Sequence, residues 1–559
     1  MTYVITQSCC SDASCVPTCP VDCIHPTPDE PGYMSAELLY IDPDTCIDCS
    51  ACAQACPVDA IVSDDELAPN MQTFLQLNED YYKSPRETPP SGRGGSPSVW
   101  PGLAGARIAV VGSGAAGSYA AAMLLDSGAE VDVYERLLTP LGLVRFGVAP
   151  DHASTKAVSA VFPYQGQKPN FTLHLGVEVG THISHAELLQ HHHAVIYAVG
   201  ASADRRLNIA GEDLPGSHSA TDFVAWYNGH PDATGLTFDL SSERAVVVGN
   251  GNVALDVARI LASDPDTLAR TDIADHALAA LRKSSVREVV VLGRRGPVQA
   301  AYSAPELMGL LTNPDFDVVA LPDEVALDAL SQAALDDANH EPNLRRKAEL
   351  VQELAAVASP PGRRRIVLRY LVSPTELRGT DRVDEVRVVH NRIVIGERES
   401  LAAEPTDRYT SLQAGLVLRS VGYRGQPIAD LPFDAASATI PNTGGRVTGM
   451  AGTYVAGWIK RGPSGMIGTN RQCAADTVAC IAEDFSADRL IAPVGDRQSL
   501  EALLAERCGY QAGLAGWTRI DAAERAAGAS SGRPRVKIVD SAQLLALAEE
   551  SAALAVSDG

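Results

Sequence analysis

RIAVVGSGAAG, residues 107–117, is an apolar run rich in β-branched residues that breaks into a glycine-rich turn and then a helix-forming stretch. That order is the start of a βαβ unit. Gly112, Gly114 and Gly117 keep a GxGxxG spacing, which permits a tight turn and lets a pyrophosphate approach backbone N–H groups at a helix N-terminus. The next apolar run, VDVYER, ends at Glu135, about twenty residues on, where a carboxylate accepts hydrogen bonds from ribose hydroxyls. This site is predicted to take FAD or NAD, with an unphosphorylated ribose.

RAVVVGNGNVA, residues 244–254, repeats the pattern through Gly249, Gly251 and Ala254. Here the following strand, REVVVLGRRGP, ends in Arg294 and Arg295 instead of an acid. Guanidinium forks pair with a 2′-phosphate and cannot accept from a free ribose hydroxyl, so the second site is predicted to select NADP. The arginines lie further on than usual, which requires an insertion around 264–285. Two such starts predict an α/β chain with two Rossmann-like dinucleotide-binding domains.

Ahead of them lies a cysteine-rich module, with nine of the twelve cysteines before residue 57. CIDCSACAQACP (46–57) reads Cys46-x₂-Cys49-x₂-Cys52-x₃-Cys56-Pro57, and CCSDASCVPTCP (9–20) matches it at Cys9, Cys15 and Cys19, with Asp12 where the second motif has Cys49. Three thiolates of such a loop hold one cluster and the fourth reaches the other. Cluster II is therefore assigned to Cys46, Cys49, Cys52 and Cys19, and cluster I to Cys9, Cys15 and Cys56. A three-thiolate site gives a [3Fe–4S] cluster, or a [4Fe–4S] cluster if Asp12 supplies an oxygen. Cys10 and Cys23 are surplus; Cys23 is expected to be a packed free thiol. The spacing disfavours zinc.

The formal charge of −24 over 559 residues excludes nucleic acid as a partner, since no excess of Lys and Arg exists to neutralise phosphates. No apolar window is long enough for membrane insertion, and the N-terminus lacks an export pattern, so a cytoplasmic address is expected. Residues 84–105, SPRETPPSGRGGSPSVWPGLAG, read as a linker after a module spanning 1–83. The charged, Ala- and Leu-rich stretch near 310–362 reads as solvated helices without chemistry. NADPH delivers two electrons as hydride while clusters accept one at a time, and only a flavin converts between the two modes, so the first site is expected to hold FAD.

The module resembles the seven-iron ferredoxins of bacteria through TYVITQSC, CPVDCI and YIDPDTCIDCSACAQACPVDAI, which implies a small α+β fold with one [3Fe–4S] and one [4Fe–4S] cluster. It departs from them in a shorter first loop. From residue 106 the chain resembles the adrenodoxin reductase family of ferredoxin–NADP reductases through GSGAAG, PLGLVRFGVAPDH, GNGNVALDVARIL, GRRGPVQAAYSAPEL and YVAGWIKRGPSGMIGTN. That resemblance implies an FAD-binding domain from 106–200 and 424–559 around an NADP-binding domain at 201–423. It implies FAD contacts at Ala116, Glu135, Leu143, Trp458, Gly465, Met466 and Ile467, and NADP contacts at Asn250, Gly251, Asn252, Val253, Arg294, Arg295, Glu306 and Gly465. His152 falls where the family keeps a histidine near the flavin. Gly309 stands where the family commonly has a second glutamate.

These readings predict an NADPH:ferredoxin oxidoreductase fused to its ferredoxin, passing single electrons to an external one-electron protein such as a separate ferredoxin or a cytochrome. The alternatives are the NADPH-input subunit of a larger redox complex of the glutamate synthase kind, or a non-catalytic redox sensor.

Overall fold

The computed structural model describes residues 2–83, 99–164, 168–336, 342–357, 359–360, 362–397, 400–508 and 512–549; residues 84–98 of the expected linker lie outside them. A seven-stranded sheet has the order Asn442–Thr443, Arg446–Val447, Thr453–Val455, Ala194–Tyr197, Arg107–Val111, Glu130–Glu135, Phe171–Leu175. From Thr453–Val455 onward the strands are parallel, so their carboxyl ends share one edge. Ile108 to Val111 are buried, as a central strand covered on both faces requires. Helix Ala115–Asp126 packs against helix Thr469–Ser486, which brings the C-terminal segment back to the first glycine turn.

A second, six-stranded parallel sheet runs Ser217–Ser219, Leu416–Arg419, Arg244–Val248, Glu288–Leu292, Arg365–Arg369, Asp317–Ala320. Helices Pro265–Leu268 and Asp275–Leu281 fill the interval before strand Glu288–Leu292, where an insertion was required. An antiparallel meander, Val372–Arg378, Glu385–Ile395 and Leu401–Gln413, was not foreseen. The two sheets are joined by a buried triad. The Asp272 carboxylate accepts from Lys156 Nζ at 2.6 and 2.8 Å and pairs with Lys537 Nζ at 3.1 Å.

The cysteine-rich module pairs Tyr3–Ile5 with Ile61–Ser63 and Ile24–His25 with Tyr40–Ile41. Asn78, buried in helix Gln72–Lys83, ties both pairs together: its Oδ1 accepts from Ile5 and Ile41 N–H, and its Nδ2 donates to the Ile5 carbonyl.

This module is seated on the rest of the chain, which a linker reading did not anticipate. Glu37 Oε2 accepts from the Ala304 N–H at 2.8 Å and from Asn343 Nδ2 at 3.0 Å, and Asn343 Nδ2 also donates to the Tyr40 hydroxyl at 2.6 Å. Val4, Ile5, Leu38 and Tyr81 share one apolar core with the six-stranded domain, while Cys10, Val58 and Ala60 join the core of the seven-stranded domain. Helix Pro342–Leu354, expected to be solvated, therefore has one face committed to the module.

Candidate nucleotide and cluster sites

The first glycine turn is built as a nucleotide cradle. Gly112 has φ +100°, and a Cβ there would lie 2.6 Å from the Ala198 carbonyl oxygen. A Cβ on Gly117 would overlap the Gly112 carbonyl, whereas Gly114 faces open space. The middle glycine thus leaves room for a pyrophosphate at the N-terminus of helix Ala115–Asp126. The Glu135 carboxylate sits over this turn, accepting from the Ser113 N–H at 3.1 Å and Oγ at 2.6 Å and from the Leu137 N–H at 3.0 Å.

The remaining residues expected at the flavin gather at the same edge. A Cβ on Gly142 would meet Gly114 Cα at 3.0 Å, which places the Leu143 segment over the cradle. A Cβ on Gly457 would meet the Ala116 side chain at 2.7 Å, which brings in Trp458. The indole N–H of Trp458 donates to the Ser464 carbonyl at 3.1 Å, and its ring lies 5.3 Å from that of Tyr423. Gly465 adopts φ +80°, and the Met466 and Ile467 carbonyls are held by Thr469 and Asn470.

In the second cradle Gly249 has φ +113°, a Cβ on it would overlap the Ser420 carbonyl, and Gly251 faces open space. Asn250 lies against Gly293, the residue before Arg294. Val253 follows in the first turn of helix Asn252–Ala262. Asn252 has its side chain committed elsewhere: Oδ1 accepts from the Ser303 N–H at 2.8 Å, fixing the start of helix Ala304–Leu311, which carries Glu306. Arg294 is exposed and Arg295 half-buried, and among the described residues neither has an ion-pair partner. Burial, followed by the neighbouring Arg294 charge, lowers the Arg295 pKa. Two adjacent unpaired guanidiniums fit a dianionic phosphate.

Between the cradles lies a network that sequence reasoning missed. The buried Arg259 guanidinium donates to Asp151 at 2.7 Å, Glu306 at 2.6 Å, Asp256 at 2.6 Å and His152 Nε2 at 2.8 Å. Because Nε2 accepts, the His152 ring carries its proton on Nδ1. Burial raises the Asp256 carboxyl to about 6; Arg259 opposes this and Glu306 reinforces it. His152 Nε2 and Glu306 Oε1 are 3.8 Å apart. The signal available beforehand was an arginine within VALDVARIL, since a cation on the apolar face of a helix requires buried acids.

In the module, Cys19, Cys46, Cys49 and Cys52 converge on a small cavity also lined by Tyr3, Val21, Ile41 and Ile47. Cys23 lines it too, with its Sγ 3.4 Å from that of Cys19, so the surplus thiol is part of the cluster wall. Burial pushes the Cys9 and Cys52 thiols up to about 11. Such sulfurs lose their protons on binding iron, which is the chemistry expected of this donor set. At Cys46 burial acts in the same direction but is outweighed by hydrogen bonds from Tyr3 and Asp48, and its pKa is lowered. Cys9, Cys15 and Cys56 form the second group, close enough that their charges perturb one another, with Asp12 beside them. The Asp12 carboxylate is engaged by Ser14, whose N–H donates at 3.2 Å and whose hydroxyl also donates. All twelve cysteines are free, and no helix among the described residues is long and apolar enough to cross a membrane.

Residues 106–289 match the pyridine nucleotide-disulphide oxidoreductase family, and residues 39–62 match the 4Fe-4S binding domain. The chain is 49% identical over 566 residues to the "Probable ferredoxin/ferredoxin--NADP reductase" of Mycobacterium tuberculosis strain H37Rv, covering 98% of this chain and 95% of that one. It is 47% identical over 449 residues to "NADPH-ferredoxin reductase FprA" of Mycobacterium leprae, covering 78% of this chain and 97% of that protein. Among solved structures, FprA of Mycobacterium tuberculosis in complex with NADPH superposes with a TM-score of 0.75 at 45% identity, over 79% of this chain and 99% of that one.

Proposed function

The chain belongs to the ferredoxin–NADP reductases that carry their own ferredoxin domain, and on that premise we propose how its parts divide the work. It is an FAD-dependent NADPH:ferredoxin oxidoreductase with an α/β two-nucleotide reductase and an N-terminal 4Fe–4S domain. When bound, FAD supplies the conversion of a hydride from NADPH into single electrons, and the clusters supply a one-electron path.

The protein's own task is binding and alignment. Gly112, Gly114 and Gly117 cradle the FAD pyrophosphate, Glu135 holds its ribose, and Ala116, Leu143, Trp458 and Gly465–Ile467 cover the ring system. Asn250 to Val253 receive the NADP pyrophosphate, Arg294 and Arg295 bind its 2′-phosphate, and Glu306 and Gly465 border the nicotinamide end. His152 is set beside the flavin by Arg259, which also holds Glu306; one guanidinium therefore aligns residues of both nucleotide domains. The domains divide as 1–83, 106–200 with 424–559, and 201–423, which the make-up of the two sheets supports.

Cluster II is a [4Fe–4S] cluster on Cys19, Cys46, Cys49 and Cys52. Cluster I is held by Cys9, Cys15 and Cys56, and Ser14's hold on Asp12 supports a three-iron resting form. The clustering of nine cysteines before residue 57 suits metal binding in a reducing, cytoplasmic setting. The external partner is a one-electron protein.

The observation that carries this reading is the fastening of the cluster I loop to the flavin edge: the Gly468 N–H, next to Ile467, donates to the Cys10 carbonyl at 2.8 Å. Anaerobic addition of one equivalent of NADPH, followed by visible absorption and EPR, tests it. Flavin bleaching with a reduced-cluster signal is expected. A bleached flavin beside clusters that stay oxidised would refute the in-chain path.

A further inference from the structure

The two cluster sites differ in what surrounds them. At cluster I the Cys10 carbonyl is bonded to Gly468, and Arg471 donates to the Asp12 carbonyl at 2.9 Å and to Ser14 Oγ at 3.1 Å. Cys10 is 2% exposed, Asp12 7% and Cys15 6%. No second protein can approach cluster I through that wall. At cluster II the cavity opens to the surface, Cys49 is exposed, and Ile47 is 57% exposed.

Charge distinguishes the module further. Residues 1–82 contain fourteen carboxylates and no lysine or arginine. Asp44 and Glu66 are exposed, and Asp48 stands beside Ile47. Tyr3, on the cavity wall, pairs with Ser63, whose carbonyl accepts from the Glu66 N–H at 3.1 Å, and Asp48 lies between Ile47 and Cys49, so both acids flank the mouth.

We infer that the cluster II mouth, with Ile47 and Cys49 at its centre and Asp44, Asp48 and Glu66 on its rim, is the docking surface for a one-electron carrier protein whose redox centre is ringed by lysine or arginine. This rests on the electron path proposed above and adds its order: flavin edge, cluster I, cluster II, carrier. The balance closes without another reactant. NADPH loses a hydride and becomes NADP⁺, its two electrons leave one at a time to two carrier molecules, and one proton goes to solvent. Complementary charge raises the encounter rate, and the exposed Ile47 gives the contact an apolar centre.

Cytochrome c, a basic one-electron protein, is the probe. Zero-length carbodiimide cross-linking to the unmodified holoprotein, read by mass spectrometry, is expected at Asp44, Asp48 or Glu66; cross-links confined to acids outside residues 1–83 would overturn the inference. In parallel, Asp44→Lys/Glu66→Lys is expected to lower kcat/KM for cytochrome c about tenfold at low salt and to flatten its salt dependence. Asp48 is left in place because its φ of +56° suits few side chains. Asp381→Lys, on an exposed turn before strand Glu385–Ile395, controls for net charge and should change little. Equal losses in both variants, or none in either, would overturn the docking surface. The EPR signals of NADPH-reduced clusters are read on every sample: if they form normally while the cross-links and rates disagree, the docking inference alone fails, and if they never form, the proposed path fails first.

Discussion

The Gly468 N–H donates to the Cys10 carbonyl at 2.8 Å, so the loop that carries Cys9, Cys10 and Asp12 is fastened to the residue that follows the Gly465–Ile467 segment. The contact is tight as well as bonded: a Cβ on Gly468 would lie 2.5 Å from the Cys10 oxygen and would overlap the Asp12 backbone nitrogen. Both obstacles are main chain and cannot swing aside. An electron path between the two parts therefore depends on a glycine in a helix-start position that any residue could adopt conformationally.

Gly468→Ala is accordingly expected to lift the module away from the flavin edge without disturbing nucleotide binding. NADPH should bleach the flavin at an unchanged rate, while rapid-freeze EPR should show cluster reduction slowed roughly tenfold to a hundredfold. Unchanged cluster reduction would show that the contact does not set the electron-transfer distance.

The six-stranded domain meets the module at Gly309, where a Cβ would overlap the side-chain amide of Gln7. Here the obstacle is the end of a flexible side chain. Gly309→Ala should therefore cost little, whereas Gly309→Glu should loosen this face by about 1–3 kcal/mol. Gln7→Ala should recover part of the loss in a double-mutant cycle of thermal stability. Strict additivity of the two changes would show that the residues do not compete for one space.

Arg294 and Arg295 are the residues proposed to carry coenzyme choice. Replacing both with Ala should raise KM for NADPH on the order of a hundredfold and leave that for NADH within about threefold, because only NADPH loses a phosphate partner. Steady-state ferricyanide reduction with each coenzyme reads this directly. Equal losses would show that these arginines do not read the 2′-phosphate.

Both glycine turns, Glu135 and the cysteine spacing could be read because each is a local pattern, with its chemistry written within about twenty residues, and the arginine pair because it ends the strand that follows the second turn, once an insertion is allowed for. The docking face was not. Glu37 meets Asn343 across 306 positions, Arg471 meets Asp12 across 459, and no periodicity links such partners. Helix Pro342–Leu354 read as solvated because charge recurs along it, although one face covers the module. Arg259 lay inside a motif already singled out, yet its four partners come from three separate segments. Local pattern specifies a cradle; which cradle faces which cluster is decided by tertiary packing.

The Asp272 triad makes the union of the two nucleotide domains acid-sensitive. Burial raises the Asp272 carboxyl, but Lys537 and Lys156 outweigh it and hold it at about 2. A depressed carboxyl stabilises the fold in full above its ordinary value of about 3.9, and that contribution disappears as pH falls towards 2. Asp272→Asn leaves two buried ammonium groups unpaired and should cost about 3–5 kcal/mol at pH 7. Denaturant midpoints measured from pH 7 downward should fall more steeply for the native protein than for the variant. Parallel pH profiles would remove the triad from the account.

Asp12 and Ser14 are placed to set the state of the proposed cluster I. The carboxylate stands beside Cys9, Cys15 and Cys56, yet it is occupied by the Ser14 N–H and hydroxyl, and the Asp12 carbonyl is pinned by Arg471. A three-iron cluster has one corner open, and an oxygen ligand released from Ser14 is what a fourth iron would need. Ferrous iron added anaerobically to the reduced protein should therefore convert a three-iron EPR signal into a four-iron one. Ser14→Ala removes the competing hydroxyl while leaving the Asp12 side chain in place, and should shift the conversion to lower iron concentration. Asp12→Ala should abolish it, and Asp12→Cys, with a thiolate in the register of Cys49, should yield a four-iron cluster before any iron is added. Arg471→Ala separates the main-chain clamp from the side-chain one: it should loosen the module on the flavin edge without changing the iron requirement. Conversion that proceeds equally in the Asp12→Ala variant and the native protein would show that some other group closes the corner, with the buried Cys10 thiol the next to test.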